Sequence, residues 1–389
     1  MAQQSTNDPA SQLNLGRING AGNATNNRDL YLKLFSGEMF TGFQRETIAR
    51  DLVQKRTLTN GKSLQFIYTG RTTAEYHTPG NSILGNDQKA PPVAEKTITV
   101  DDLLISSAFV YELDETLSHY ELRGEISRKI GYALAQKYDR LIFRAIAKGA
   151  RQASPVSMTN FVEPGGTQIQ VGGGSDADDA YNSTHLINAF YDAAAALDEK
   201  GVSEDGRVAV LTPRQYYALI QNIESNGLIN RNERGDALQS GNGIIEIAGI
   251  QIFKSMNIPF FSKYGTKYAP ASGASAATDL ATVDPGNTGS WVSEGIETAN
   301  TATGNNYGAR QNYGAASNFA NSCGLIFQRE AAGVVETIGP QVQVTSGDVS
   351  VVYQGDVILG RMAMGADFLN PAASVELFAG TTTKPAAFN

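Results

Sequence analysis

The chain has 389 residues, a formal charge of −8 and 18 % charged residues, which describes a mildly acidic protein with mass for two or three domains and a real core. That balance argues against a dedicated nucleic-acid binder, while leaving room for a surface that merely faces DNA. No apolar run is long enough to span a bilayer, the opening MAQQSTNDPASQ has no basic-then-apolar leader pattern, and the single Cys323 excludes an internal disulfide, as fits a reducing cytoplasm.

Residues 1–27 are rich in Gln, Asn, Gly and Ser, and bury too little to offset their ordering entropy, so a flexible tail is expected. The following arm, RDLYLKLFSGEMFTGFQRETIARDLVQKRTL, is basic. Between Arg28 and Arg71 eight basic residues stand against four acidic ones, an excess of +4 in an acidic chain. A solvated amphipathic arm and a contact with acidic neighbours or nucleic acid both fit that excess. After the turn signal Asn60-Gly61, SLQFIYTG and KTITVDDLLISSAFVYEL alternate as strands do. Between them lies RTTAEYHTPGNSILGNDQKAPPVAE, a loop rich in turn residues. Two strands with so long a tip make a projecting hairpin with little core beneath it, which needs a neighbour to rest on.

From about Leu113 to Ala150 the spacing predicts one unbroken helix. Asp114 and Glu115 suit its start, Arg140, Arg144 and Lys148 suit its end, and Gly149 supplies a stop. Leu122, Ile126, Ile130 and Ala133 form an apolar stripe that widens at LIFRAI, so that end is the more deeply buried. At 1.5 Å per residue the helix would run roughly 55 Å, beyond the usual limit of about 25 residues in globular proteins. Its charges exclude a membrane span, and the absence of sustained heptads excludes a coiled coil. A spine in a flat, extended subunit remains.

A Gly- and Asp-rich connection leads to a second helix, STHLINAFYDAAAALDEKGV. Val208 to Leu211 then reads as a buried strand that passes through Thr212-Pro213 into another helix, and GIIEIAGIQIFKSMNIP reads as strand. Residues 263–318 are low in complexity and read as a surface insertion. Strands follow in CGLIFQREAAGVVETI, QVQVTSG, VSVVYQGDVILGRMAMG and SVELF, with FLNPAA as a turn between the last two. The terminal TTTKPAAFN is expected to fray.

Motifs for chemistry are scarce. Gly61-Lys62-Ser63 lacks the earlier glycine of a phosphate loop, since Arg56 occupies that place, and strand follows it where a helix is required. His77, His119 and His185 are dispersed without metal-ligand spacing, and Cys323 reads as a small buried residue. Asp176, Asp178 and Asp179 lack the distant glutamate of a calcium loop. Trp291, Tyr307 and Tyr313 lack interleaved cations apart from Arg310, which gives weak support for a base-stacking platform. No active site and no cofactor or metal site is expected.

Three stretches, LKLFSGEMFTGF, NGKSLQFIYTGRTTAEYHTPG and KTITVDDLLISSAFVYELDETLSHYELRGEI, resemble the major capsid proteins of short-tailed, T-seven-like bacteriophages. GDVILGRMAMGADFLNPAASV resembles that family's closing segment. The resemblance covers residues 30–150 well and 320–378 moderately; residues 151–180 and 263–318 are longer than the family core requires. It implies an α+β chain with the HK-ninety-seven-type capsid fold: an N-terminal arm over 1–57, with 1–27 flexible, and an extended hairpin loop over 58–111. A peripheral domain over 112–179 and 336–365 would hold the spine helix, about 113–150, and an axial α/β domain would take 180–335 and 366–389 with the insertion at about 263–318.

By the same resemblance the protein forms hexamers and pentamers of an icosahedral shell around double-stranded DNA, held without covalent cross-links. Its partners would be other copies of itself, a scaffolding protein and a portal protein, with assembly in the bacterial cytoplasm and no membrane. Lys33, Phe35 and Phe40 in the arm, Arg71, Glu75 and Tyr76 on the loop, and Arg123 on the spine are the implied contacts between subunits. Maturation would move spine and arm as hinged rigid bodies. An encapsulin-like cellular compartment and an α/β enzyme of unknown substrate are the competing readings. The enzyme would need convergent titratable residues that the sequence does not display.

Overall fold

The computed structural model describes residues 48–71, 76–80, 91, 93–100, 103–111, 122–156, 163–174, 177–221, 245–255, 257–258, 322–344 and 354–386. These fall into two compact units. One lies within Asp102–Lys137 and Thr337–Met364, the other within Glu46–Asp101, Tyr138–Glu336 and Gly365–Asn389. The expected tail, most of the arm and the low-complexity insertion lie outside the described residues.

The second unit is built on a six-stranded sheet. Its strands are β5 (Thr167–Gln170), β6 (Arg207–Leu211), β7 (Ile245–Ile247), β8 (Ile250–Lys254), β9 (Ser322–Gln328) and β12 (Ser374–Phe378), in the order β5-β12-β9-β6-β8-β7. Strands β6, β9 and β12 are buried at almost every position because both sheet faces are covered. On one face lie α2 (Ser183–Glu199) and α3 (Pro213–Gln221), whose Leu186, Phe190, Ala193, Leu197 and Leu219 pack with Ala209, Leu211, Ile252, Cys323 and Leu377. Asn182 caps α2 by accepting from the Thr184 amide at 3.0 Å. Cys323 lies inside β9, fully buried, and burial pushes its thiol well above the ordinary range. The other face meets the end of α1 (Leu122–Ala150), where Arg151 forks onto Glu376 of β12 at 2.6 and 2.7 Å with both side chains fully buried.

Helix α1 is described from Leu122, and residues 112–121, where the sequence reading starts it, lie outside the described residues. Gly149 does not stop it. Gly149 lies in the last turn because a Cβ there would stand 2.8 Å from Cβ of Phe368 and 3.1 Å from Oγ of Ser374. Packing, not termination, requires the glycine. In the first unit the same helix lays Ile130 and Leu134 against Gly360 of β11 (Gly355–Phe368), where a side chain would collide with both.

KTITVDDLLISSAFVYEL is two strands in different sheets. Strand β3 (Val93–Thr99) pairs antiparallel with β2 (Ser63–Thr69), whereas β4 (Leu104–Tyr111) pairs antiparallel with β11. Strand β1 (Gln54–Thr57) runs parallel to the start of β10 (Ala332–Val344), with Gln54 opposite Gly333, and the order in this sheet is β1-β10-β11-β4.

Candidate functional site: the seats of the arm and the hairpin

Two clusters fix how the arm and the hairpin leave the second unit. The first is the foot of the arm, a helical turn at Ala49–Leu52 followed by β1. Ile48, at the N-cap, offers no side-chain cap, so the turn's free amides need a partner. Asp139 of α1, only 1 % exposed, supplies it: the amides of Ile48 and Ala49 donate to its two oxygens at 2.9 and 3.2 Å, and Asn257 adds a third donor at 3.2 Å. Burial pushes the Asp139 carboxyl up to about 6, against the opposing pull of those three hydrogen bonds. One residue earlier on the helix, the hydroxyl of Tyr138 donates to Glu336 of β10 at 2.7 Å. Burial and that carboxylate push the phenol far above its usual range. Lys55 at 2.6 Å and Arg50 at 3.6 Å balance Glu336.

The second cluster seats the hairpin. Its inner residues Leu64, Phe66, Tyr68, Ala94, Lys96 and Ile98 alternate with exposed ones, so one face is covered and the other is open. Ile98 is buried against the Gly333 position of β10. Lys96 reaches Asp367 at 3.2 Å and lies 3.5 Å over the Phe368 ring; Lys148 of α1 reaches the same carboxylate at 3.3 Å. Burial pulls the Lys96 ammonium below its ordinary range, Asp367 opposes that, and Lys148 adds to it. Tyr68 is pushed up to about 12 by burial, then by the carboxylates of Glu163 and Glu330. Beyond the strand, Arg71 is held on Glu163 twice, by its amide at 2.7 Å and its Nε at 3.3 Å, while Nη2 donates to the Lys200 carbonyl at 2.8 Å.

The platform under Arg71 is itself tightly constructed. Gly166 donates to the Gln152 carbonyl at 2.8 Å, and any Cβ at Gly165 or Gly166 would overlap backbone between Ala150 and Ala153. Only a glycine pair lets the segment carrying Glu163 lie flat on the end of α1. Lys200, just past α2, donates to the Gly165 carbonyl at 2.6 Å and to Thr167 Oγ1. Burial lowers its ammonium as well.

The expectation that the hairpin has little beneath it is therefore corrected: through Arg71 it rests on its own chain. Of the eight basic residues behind the basic excess, Arg50, Lys55 and Arg71 face carboxylates of the same chain, while Arg28, Lys33 and Arg45 lie outside the described residues. Among the residues nominated for contacts between subunits, Tyr76 is fully exposed. Lys33, Phe35, Phe40 and Glu75 lie outside the described residues, and Arg123 is placed by its backbone in the first turn of α1. On the open face of the hairpin Ile67 and Val93, 77 % and 59 % exposed, sit diagonally across the ladder. Sequence reasoning missed Asp139, Glu163, Lys200, Glu336 and Asp367. For Asp139 a signal existed, a carboxylate set in the widening apolar stripe YDRLIF; the others have none short of the fold.

A sheet domain with the end of a long helix on its second face, a hairpin strapped alongside and an arm tied to the helix define the shell-protein class of tailed phages. The capsid structure of cyanophage P-SCSP1u superposes with a TM-score of 0.65 at 30 % identity, covering 97 % of this chain and 99 % of that one. The mature capsid of bacteriophage PhiM1 gives 0.61 at 14 % identity over 94 % of this chain and 98 % of that one, which bears on the fold alone. The major capsid protein of Escherichia phage T7 is 27 % identical over 353 residues, 89 % of this chain and 90 % of its own length. The model of the Gp10A-like major capsid protein family matches residues 65–294, more than half the chain, and the chain belongs to that family. Its role is structural, in the self-assembled shell of a T-seven-like virion. That selects the viral shell over the encapsulating compartment and the enzyme.

Proposed function

We propose that the protein closes, through hexamers and pentamers, into the icosahedral shell that encloses a double-stranded DNA genome. It assembles in the host cytoplasm around a scaffolding protein, with a portal at one vertex, as a non-covalent and non-enzymatic shell. The observation that carries this reading is agreement over nearly the whole chain with a solved phage capsid at 30 % identity. Repeated weak contacts suit the task, because ring and shell closure multiplies each one while leaving single contacts reversible during assembly.

Within that reading, residues 1–57 act as the arm, 58–111 as the hairpin loop, 112–179 with 336–365 as the peripheral domain, and 180–335 with 366–389 as the axial domain. Lys33, Phe35, Phe40, Arg71, Glu75, Tyr76 and Arg123 are the proposed contacts with neighbouring copies, and Arg71 also ties the loop to its own chain. The full exposure of Tyr76 supports its place in that set. Sedimentation velocity of the purified protein, with and without its scaffold, followed by electron microscopy of the fastest boundary, tests the proposal. Hollow icosahedral particles are expected. A monomer or dimer under every condition overturns it.

A further inference from the structure

The hairpin is mounted on its own chain at two places of unequal strength. Near the middle of β3, Lys96 enters a hub with Asp367, Lys148 and the Phe368 ring, and both Lys96 and Asp367 side chains are 17 % exposed. An ion pair so enclosed is little screened by solvent or salt. At the far end the pair is lopsided: the Arg71 side chain is 63 % exposed and that of Glu163 is 10 % exposed. Half of that pair lies in water, where salt weakens it and its net strength is small. The segment of Glu163 is also tied down away from Arg71, by Gly166 on the Gln152 carbonyl and by the Lys200 ammonium on the Gly165 carbonyl, while Arg71 Nη2 meets only the carbonyl of Lys200.

Resting on the shell reading, we infer that Arg71 and Glu163 form a releasable strap, which opens while the Lys96 hub holds. The distal half of the hairpin, which bears Ile67, Val93 and Tyr68, then swings about the Lys96 hub, while the root, where Val100 donates to the Lys62 carbonyl at 2.8 Å, stays in place. One sequence can thereby present the same apolar pair at more than one angle, as subunits at sites of different curvature in a closed shell require. Glu163 is a positioning residue in this device.

Hydrogen exchange on the unassembled full-length protein tests the strap, comparing wild type, Glu163→Gln and Lys96→Met. Glu163→Gln is expected to speed exchange about two- to fivefold in peptides covering 68–71 and 93–95 and to leave 62–65 and 97–100 unchanged. Wild type in about 1 M salt should move the same way, and Glu163→Gln should no longer respond to salt. Lys96→Met should speed both halves. Equal acceleration of both halves in Glu163→Gln, or none in either, overturns the strap. A protected root in Lys96→Met overturns the two-point mounting. Because exchange is read before assembly, absence of particles counts against the shell reading, and unaltered exchange counts against the strap.

Discussion

Asp139 shows how much one buried carboxylate can organise. Its two oxygens hold the amides that open the arm's foot, and Asn257, 118 positions along the chain, completes its shell. Burial raises its carboxyl to about 6, so between the ordinary carboxylate range and pH 6 the folded chain binds this proton more tightly than the unfolded chain does. The contribution of this group to stability is therefore greatest at low pH and declines as pH rises to about 6, by roughly 2–3 kcal/mol in all. Subtracting the stability curve of Asp139→Asn from that of wild type across pH 4 to 7, by urea unfolding, should show that decline; a difference that rises with pH would refute the assignment. The sequence displays Asp139 inside an apolar stripe, where a carboxylate is costly, so its importance was legible. Its partners were not, because a hydrogen bond to Ile48 or Asn257 leaves no trace in local spacing. Glu163 was less legible still, in a segment whose composition reads as an ordinary loop.

At the scale of elements, α1 was the clearest reading, since period and end charges both speak for it, while the roles of its glycines emerged only from packing. Gly131 is exposed, and a Cβ added there would meet nothing within 4 Å, whereas Gly149 is pressed on Phe368 and Ser374. The two should respond to alanine with opposite sign. Gly131→Ala removes unfolded-state entropy and is expected to stabilise the unassembled chain by about 0.5–1 kcal/mol. Gly149→Ala must push Phe368 aside and is expected to cost about 1–3 kcal/mol. Thermal melting of both variants checks the pair, and a shift of the same sign in both contradicts the packing of α1. The split of KTITVDDLLISSAFVYEL into β3 and β4 was illegible for a related reason. Alternation continues through both halves, and only the choice of partner, β2 for one and β11 for the other, divides them.

For the whole molecule the decisive quantity is where the charge lies. The chain carries −8, and the stretch from Arg28 to Arg71 carries +4, which leaves −12 on the remainder. Read alone, that polarity predicts copies held together by a basic arm on an acidic neighbour, an attraction that salt dissolves. The structure changes the expectation. Arg50 and Lys55 share Glu336, and Arg71 faces Glu163, so three of that stretch's eight cations meet two carboxylates within one chain. Each copy still carries −8, so the long-range force between copies is repulsive. Screening should therefore favour association: light scattering of the purified protein should show particle formation growing as salt rises from about 0.05 M to 0.5 M, where the Debye length shrinks to a few ångströms. A steady loss of particles over that range would mean that attraction between the arm and an acidic neighbour outweighs the repulsion. The cations tied to Glu336 and Glu163 would then have to exchange partners on assembly, and Glu336→Gln, which frees Lys55, would steepen the loss.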